Sequence, residues 1–201
     1  IIKIVNIGKK QWSGTAIAER KIIMKLGKFK KLTAALAVCA VMASALPVVP
    51  NMVSAASNII SNSTFDSGIT GWSTYKESGG VCSLSTENGC LALTVSNVGK
   101  VNYAVQVFYD IVPLYQNGVY RLKYDISSST DRYIEGMIQQ NGGTYQAYTW
   151  KGLELTSVPQ TVDYEFTMKA ETDIMSKLVF NCGIQEKHEG VLPEHKIYID
   201  N

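Results

Sequence analysis

The sequence predicts an all-β protein, a jelly-roll β-sandwich of two antiparallel sheets. Three observations carry this. Short runs alternate apolar and polar residues with the period of two that a half-buried strand requires. Turn residues break these runs at regular spacing. No stretch sustains the helical period of 3.6, and about eight antiparallel strands at such spacing imply two packed sheets.

The chain opens on Ile1, and residues 1–23 show no sustained period. They are expected to lie outside the folded domain, as upstream or misassigned sequence. From Met24 the pattern becomes that of an export signal. Lys25, Lys28, Lys30 and Lys31 form a basic start, residues 32–46 an apolar core, and Ser54-Ala55-Ala56 a small-residue cleavage site. Residues 24–56 are therefore expected to be a secretory signal peptide cut after Ala56. The apolar core is too short for a comfortable membrane span and runs into Pro47 and Pro50, so no membrane anchor is expected. Val38 precedes Cys39 where a lipidated cysteine needs a small residue, which argues against a lipoprotein.

Charge divides at the same point. Residues 1–56 carry nine Lys/Arg and one acidic residue, a balance of +8, whereas residues 57–201 carry ten against sixteen, a balance of −6. All eleven tyrosines lie in this acidic part. A mildly acidic domain without a basic stripe excludes nucleic acid and anionic membrane as natural partners. Its 145 residues suffice for one domain with a sizeable core.

Within 57–201, residues 81–85 and 91–95 flank Thr86-Glu87-Asn88-Gly89, a hairpin signal. Strands are expected next at 103–112, 119–127, 133–140, 161–168, 177–182 and 196–200. Tyr120, Leu122, Tyr124 and Ile126 form one apolar face, and Val162, Tyr164, Phe166 and Met168 another. Cys82 and Cys90 would stand about four residues apart along paired strands, roughly 13 Å and too far for a disulfide. Cys182 alternates in phase with Leu178 and Phe180, so a buried thiol is expected there. An odd count of three argues against a disulfide scaffold.

Residues 133–148 carry the chemistry. Ile134 and Ile138 point one way, while Tyr133, Glu135, Met137 and Gln139 point the other, before Asn141-Gly142-Gly143 and Tyr145. Flat rings beside short amides suit a sugar, whose C–H faces lie on aromatics and whose hydroxyls need donors and acceptors. The same alternation sets Ala104, Gln106, Phe108 and Asp110 opposite Val105, Val107 and Tyr109, and Lys177, Val179 and Asn181 opposite Leu178, Phe180 and Cys182. Such tyrosines and turn residues also occur in strands without any ligand.

Several motifs together resemble the carbohydrate-binding modules of families 4 and 9. From Asn62 the chain reads N-S-T-F-D-S-G-I-T-G-W-S-T-Y, followed by N-G-C-L-A-L-T-V, N-Y-A-V-Q-V, S-T-D-R-Y-I-E-G-M-I-Q-Q-N-G-G-T-Y, L-V-F-N-C-G and I-Y-I-D-N. The resemblance implies a groove across a concave sheet that binds single β-glucan or xylan chains, with no catalysis by this chain. It implies flanking aromatics at Tyr75 and Tyr145, with Trp72 as a core anchor. Its polar groove positions fall on Gln106, Asp110, Glu135, Gln139, Asn141, Lys177 and Asn181. Glu135 and Lys177 depart from the residue types expected there, which leaves the preferred sugar open. The resemblance further implies a structural calcium ion at Thr64, Gly89 and Asp200, with Asp66 nearby. It also implies a secreted, extracellular bacterial protein in which a catalytic glycoside hydrolase domain follows. I-Y-I-D-N is accordingly expected to open a last strand that continues.

Three other readings stand beside this one. Glu135 and Asp110 could form the carboxylate pair of a glycosidase, but neither sits in a recognisable catalytic motif. His188 and His195 lie in K-H-E-G-V-L-P-E-H-K, whose spacing matches no common metal pattern and is expected to be a polar surface loop. An adhesion or structural sandwich without a glycan ligand uses the same architecture.

Overall fold

The computed structural model describes residues 2–8, 57–187 and 190–200. They belong to one compact unit. The expected signal peptide at 24–56 and His188 lie outside the described residues.

Eleven strands and no helix make up the described chain: β1 (Lys3–Gly8), β2 (Trp72–Lys76), β3 (Gly80–Glu87), β4 (Cys90–Val98), β5 (Val105–Leu114), β6 (Val119–Ser128), β7 (Arg132–Gln139), β8 (Ala147–Leu155), β9 (Gln160–Thr167), β10 (Asp173–Asn181) and β11 (His195–Asp200). One sheet has the order β1-β6-β11-β4-β3, with β9 on the other edge of β6; the second runs β2-β5-β10-β7-β8. Every pairing is antiparallel. Among the described residues no helix is long and apolar enough to cross a membrane.

Period-two alternation builds the core. Tyr120, Leu122, Tyr124 and Ile126 of β6 point into the sandwich and meet Val107, Leu178 and Phe180 from the second sheet. The Tyr124 and Phe180 rings cross edge to face at 5.1 Å between centroids, the arrangement aromatic quadrupoles favour. Trp72 is buried as expected, between Phe65 at 5.9 Å and Tyr109 at 5.4 Å. Cys82, Cys90 and Cys182 stand as thiols, and Cys182 is fully buried.

Three strands depart from expectation. Residues 1–23 suggest no strand, yet Lys3–Gly8 pairs with β6, and Ile2 and Ile4 are fully buried. K-I-V-N-I-G hides its alternation, because Ile7 remains exposed beyond a register shift. β2 is a five-residue strand, too short to show a period. β8 carries exposed Ala147, Trp150 and Lys151, which blur its alternation.

His195 requires a correction. It does not sit in a surface loop but opens β11, where it is 3 % exposed. Its Nδ1 lies 2.7 Å from the Pro193 carbonyl and its Nε2 2.5 Å from Arg132 Nη1. Arg132 is itself buried and donates from Nη2 to the carbonyls of Cys182 and Gly183, both at 3.0 Å. This buried polar cluster ties the starts of β7 and β11 to the end of β10. Its only sequence trace is an Arg and a His flanking apolar strand residues.

Candidate functional site

Strand register sorts the outward face of the second sheet into three rows. In the first, Tyr75 stands opposite Gln106, Gln106 opposite Asn181, Asn181 opposite Glu135, and Glu135 opposite Gly152. The second row runs Ser73, Phe108, Val179, Met137 and Trp150 by the same pairings. In the third, Lys177 faces Gln139, and Asp110 lies at the register shift of β5. An apolar strip thus runs across the strands between two polar borders.

The first border is a connected relay of amides. Gln106 Nε2 donates to Asn181 Oδ1 at 2.8 Å, and Asn181 Nδ2 donates to Glu135 Oε2 at 3.1 Å. Asn102 Nδ2 reaches the same carboxylate oxygen at 2.9 Å. Gln106 and Asn181 are buried, so their contacts fix their orientation before any ligand arrives. At the end of the row Tyr75 is 44 % exposed. Its hydroxyl donates to Glu77 Oε2 at 2.6 Å, and this bond, then burial, raises the phenol above its ordinary range.

The other border is set by the loop at 140–146. Gln140 Oε1 accepts from Thr144 Oγ1 at 2.9 Å, and the Gln140 N–H donates to the Gln146 carbonyl at 3.0 Å. Asn141 Nδ2 donates to Asp110 Oδ1 at 3.0 Å and so anchors the loop to β5. Gly142 and Gly143 take positive φ, and Tyr145 follows at φ 53°. This turn projects the Tyr145 ring, 57 % exposed, over the groove. Lys177 is buried, with Nζ 4.9 Å from the Phe108 ring centroid and 5.6 Å from that of Tyr145. Burial holds its ammonium below the usual lysine range, with Asp110 acting in the opposite sense.

Two cavities flank the apolar strip. One, about 580 Å³, is lined by Asn141, Tyr148, Asp173 and Met175 among others. There Tyr148 donates to Asp173 Oδ2 at 2.8 Å, and burial followed by this bond pushes its phenol up to about 12. The other, about 500 Å³, lies between Asn102, Tyr103, Tyr133, Glu135, Trp150 and Gln185.

Tyr75, Gln106, Asp110, Glu135, Gln139, Asn141, Tyr145, Lys177 and Asn181 therefore all lie on or beside one face. Sequence reasoning missed Trp150, 51 % exposed at the end of the central row, together with Ser73 and Asn102. Strand phase also places Phe108, Met137 and Tyr133 on this face, although none of the three stands among the expected groove positions. The signal for Trp150 was the Asn-Gly-Gly turn, since a hairpin turn requires a return strand. Glu135 and Asp110 stand in different rows, each already accepting hydrogen bonds from amides, which is poor preparation for acid–base catalysis.

Of the residues expected at a metal site, Thr64 Oγ1 donates to Asp66 Oδ2 at 2.6 Å. Asp200 approaches Cys90, next to Gly89; burial and then Asp200 raise that thiol. Carboxylate, hydroxyl and backbone carbonyl oxygens are the donor types that calcium takes. No group of three His, Cys, Asp or Glu gathers among the described residues.

A jelly-roll sandwich with an aromatic-bearing, amide-bordered groove on one sheet defines a carbohydrate-binding module. The chain belongs to the family 4/9 carbohydrate binding domains, whose family model matches residues 57–187. It is 33 % identical over 115 residues to endoglucanase C of Cellulomonas fimi, covering 57 % of this chain and 10 % of that protein. It is 30 % identical over 132 residues to a cellulose 1,4-β-cellobiosidase of Acetivibrio thermocellus, covering 60 % of this chain and 15 % of that protein. The chain thus matches only a small part of either relative. Among solved structures, a family 4 module shares the fold with a TM-score of 0.61 at 20 % identity, over 69 % of this chain and 94 % of that one. The N-terminal cellulose-binding domain of the C. fimi β-1,4-glucanase C has a TM-score of 0.53 at 28 % identity, over 68 % and 88 %.

Proposed function

We propose that the groove binds single chains of soluble or amorphous β-glucan, either cellulose or mixed-linkage glucan, or of xylan. By this binding the module holds an attached glycoside hydrolase on plant polysaccharide. The observation that carries the reading is the central row of Phe108, Met137 and Trp150 between the Gln106–Asn181–Glu135 relay and the Lys177–Gln139 border. Pyranose C–H faces rest on the apolar strip and on Tyr75 and Tyr145, while ring hydroxyls exchange hydrogen bonds with the borders. Hydrogen bonds of about 1 kcal/mol net each, added to two or three stacked rings, support affinities of roughly millimolar to tens of micromolar. Tethering to an enzyme acting on a polymer makes such affinity sufficient.

The attached enzyme and an extracellular location are inferred from the endoglucanase and cellobiosidase relatives, and export is further supported by the signal-like pattern of residues 24–56. A structural calcium ion held by Asp66, Asp200 and carbonyls near Thr64 and Gly89 belongs to the same reading; bound there, it would cross-brace chain segments far apart in sequence.

Affinity electrophoresis of the chain in gels containing barley β-glucan, hydroxyethylcellulose, laminarin or xylan tests the groove. Retardation by a β-1,4-linked polymer, weakened in the Tyr75→Ala, Tyr145→Ala and Trp150→Ala variants, is expected. Unchanged mobility of the folded chain in all four gels sinks the proposal.

A further inference from the structure

One edge of β6 is shared end to end by two strands. Residues 119–126 of β6 pair with β9 along one edge. On the other edge, residues 125–128 pair with β11 and residues 119–123 with β1. Both run antiparallel to β6, so β1 and β11 are collinear. Their registers also agree. Asp200 faces Asp125, so a strand continuing two residues further would face Lys123, the position Lys3 faces. Ile4, opposite Leu122, falls in the inward phase of Ile197 and Ile199, and all three are fully buried.

The far side of β1 is bonded as closely as the near side. Ile4 N–H donates to Asn58 Oδ1 at 2.9 Å, and Asn58 Nδ2 donates back to the Ile2 carbonyl at 2.6 Å. Ile59 N–H donates to the Ile4 carbonyl at 2.8 Å, and Ile2 N–H to the Ser63 carbonyl at 3.1 Å. β6 and residues 58–63 therefore form two walls of backbone and amide groups, with apolar floor space for isoleucines. Covalently, β1 reaches the rest of the sandwich only through residues 9–56.

We infer that this slot is a strand acceptor and that Ile2–Gly8 is an exchangeable occupant of it. The occupant it fits is an extended segment with branched aliphatic residues at alternate positions, supplied by this chain's own start. Main-chain bonds to both walls give affinity, and the Ile2 and Ile4 sites give register, as in strand addition generally. Any cut within residues 9–56 turns β1 from part of the fold into a non-covalent ligand. Leader processing and the integrity of this sheet are thereby coupled.

Two experiments test this. In the first, a site-specific protease sequence is inserted within residues 9–56 of the full chain, and the cut protein is offered a labelled synthetic peptide of residues 1–9. The cut chain is expected to capture this peptide at least tenfold more than the uncut chain, and to ignore its Ile4→Asp version. In the second, Lys-Ile-Val-Asn, copied from positions 3–6, is added after Asn201. Ile4→Asp is expected to lower Tm in the parent chain but not in the extended one, whose slot is filled from the other end. Specific capture or this rescue establishes exchange. Equal capture of both peptides, or no capture together with an equal loss of Tm in both chains, overturns it.

Discussion

Tyr133 of β7 occupies the space above Gly152 of β8: a Cβ at position 152 would stand 1.7 Å from Tyr133 Oη and 2.5 Å from Cζ. The two are diagonal cross-strand neighbours, since Glu135 faces Gly152 and Tyr133 faces Glu154. The missing side chain is what lets the phenol lie beside Trp150 along the 500 Å³ cavity. Gly152→Ala is expected to expel the Tyr133 ring at a cost of about 1–3 kcal/mol, the range for overpacking, and to weaken glycan retention. Adding Tyr133→Ala should recover most of the stability but not the binding. Urea unfolding of the single and double variants checks this, and additive losses would show that the two residues are not coupled.

Lys177 places its ammonium against the Phe108 and Tyr145 rings, within 4.9 and 5.6 Å of their centroids, in a position that is 7 % exposed. Burial disfavours its charged form. The folded chain therefore binds the Lys177 proton more weakly than the unfolded chain, for which 10.5 is the reference. Between the folded value and 10.5, this group makes stability rise with pH. Lys177→Met should be neutral or stabilising by about 1 kcal/mol at pH 7, while glycan retention falls and the alkaline rise disappears. A variant that binds as well as the parent would remove Lys177 from the site.

The same face explains how far the residues could be read without coordinates. Gln106, Glu135, Lys177 and Asn181 were legible because each alternates with neighbours that are visibly apolar, so strand phase alone assigns them a face. Which residue meets which across the sheet depends on register, and register depends on irregularities such as the shifts around Ser176 in β10 and after Ile138 in β7. Trp150 was lost because β8 is half exposed and its period is weak. β1 was lost because its partner lies more than a hundred residues away and a basic, then apolar stretch of sequence follows it. Local pattern carries no information about pairing over that distance.

The calcium ion proposed at Thr64, Asp66, Gly89 and Asp200 gives a stability prediction. Addition of calcium to chelator-treated protein is expected to raise Tm by several degrees, because a ligand that binds only the folded state stabilises it by mass action. Asp66→Asn and Asp200→Asn should each abolish most of that rise without changing glycan specificity. A Tm indifferent to both chelator and calcium would remove the ion from this fold.

Acid should act through His195. The ring is buried, and burial first, then the Arg132 guanidinium, lower its proton affinity, against an opposing contribution from the Pro193 carbonyl. In the neutral ring Nδ1–H donates to Pro193 and Nε2 accepts from Arg132 Nη1; protonation destroys that acceptor and sets two cations against each other. Because the folded chain holds this proton more weakly than the unfolded chain, whose reference value is 6.5, the contribution is complete above 6.5. It is lost as pH falls from there through the folded value. One such group imposes a slope of at most about 1.4 kcal/mol per pH unit. His195→Gln keeps an acceptor for Arg132 but cannot titrate, so its urea midpoint should vary less than the parent's between pH 7.5 and 5. Parallel midpoints for the two proteins across that range would place the acid sensitivity elsewhere.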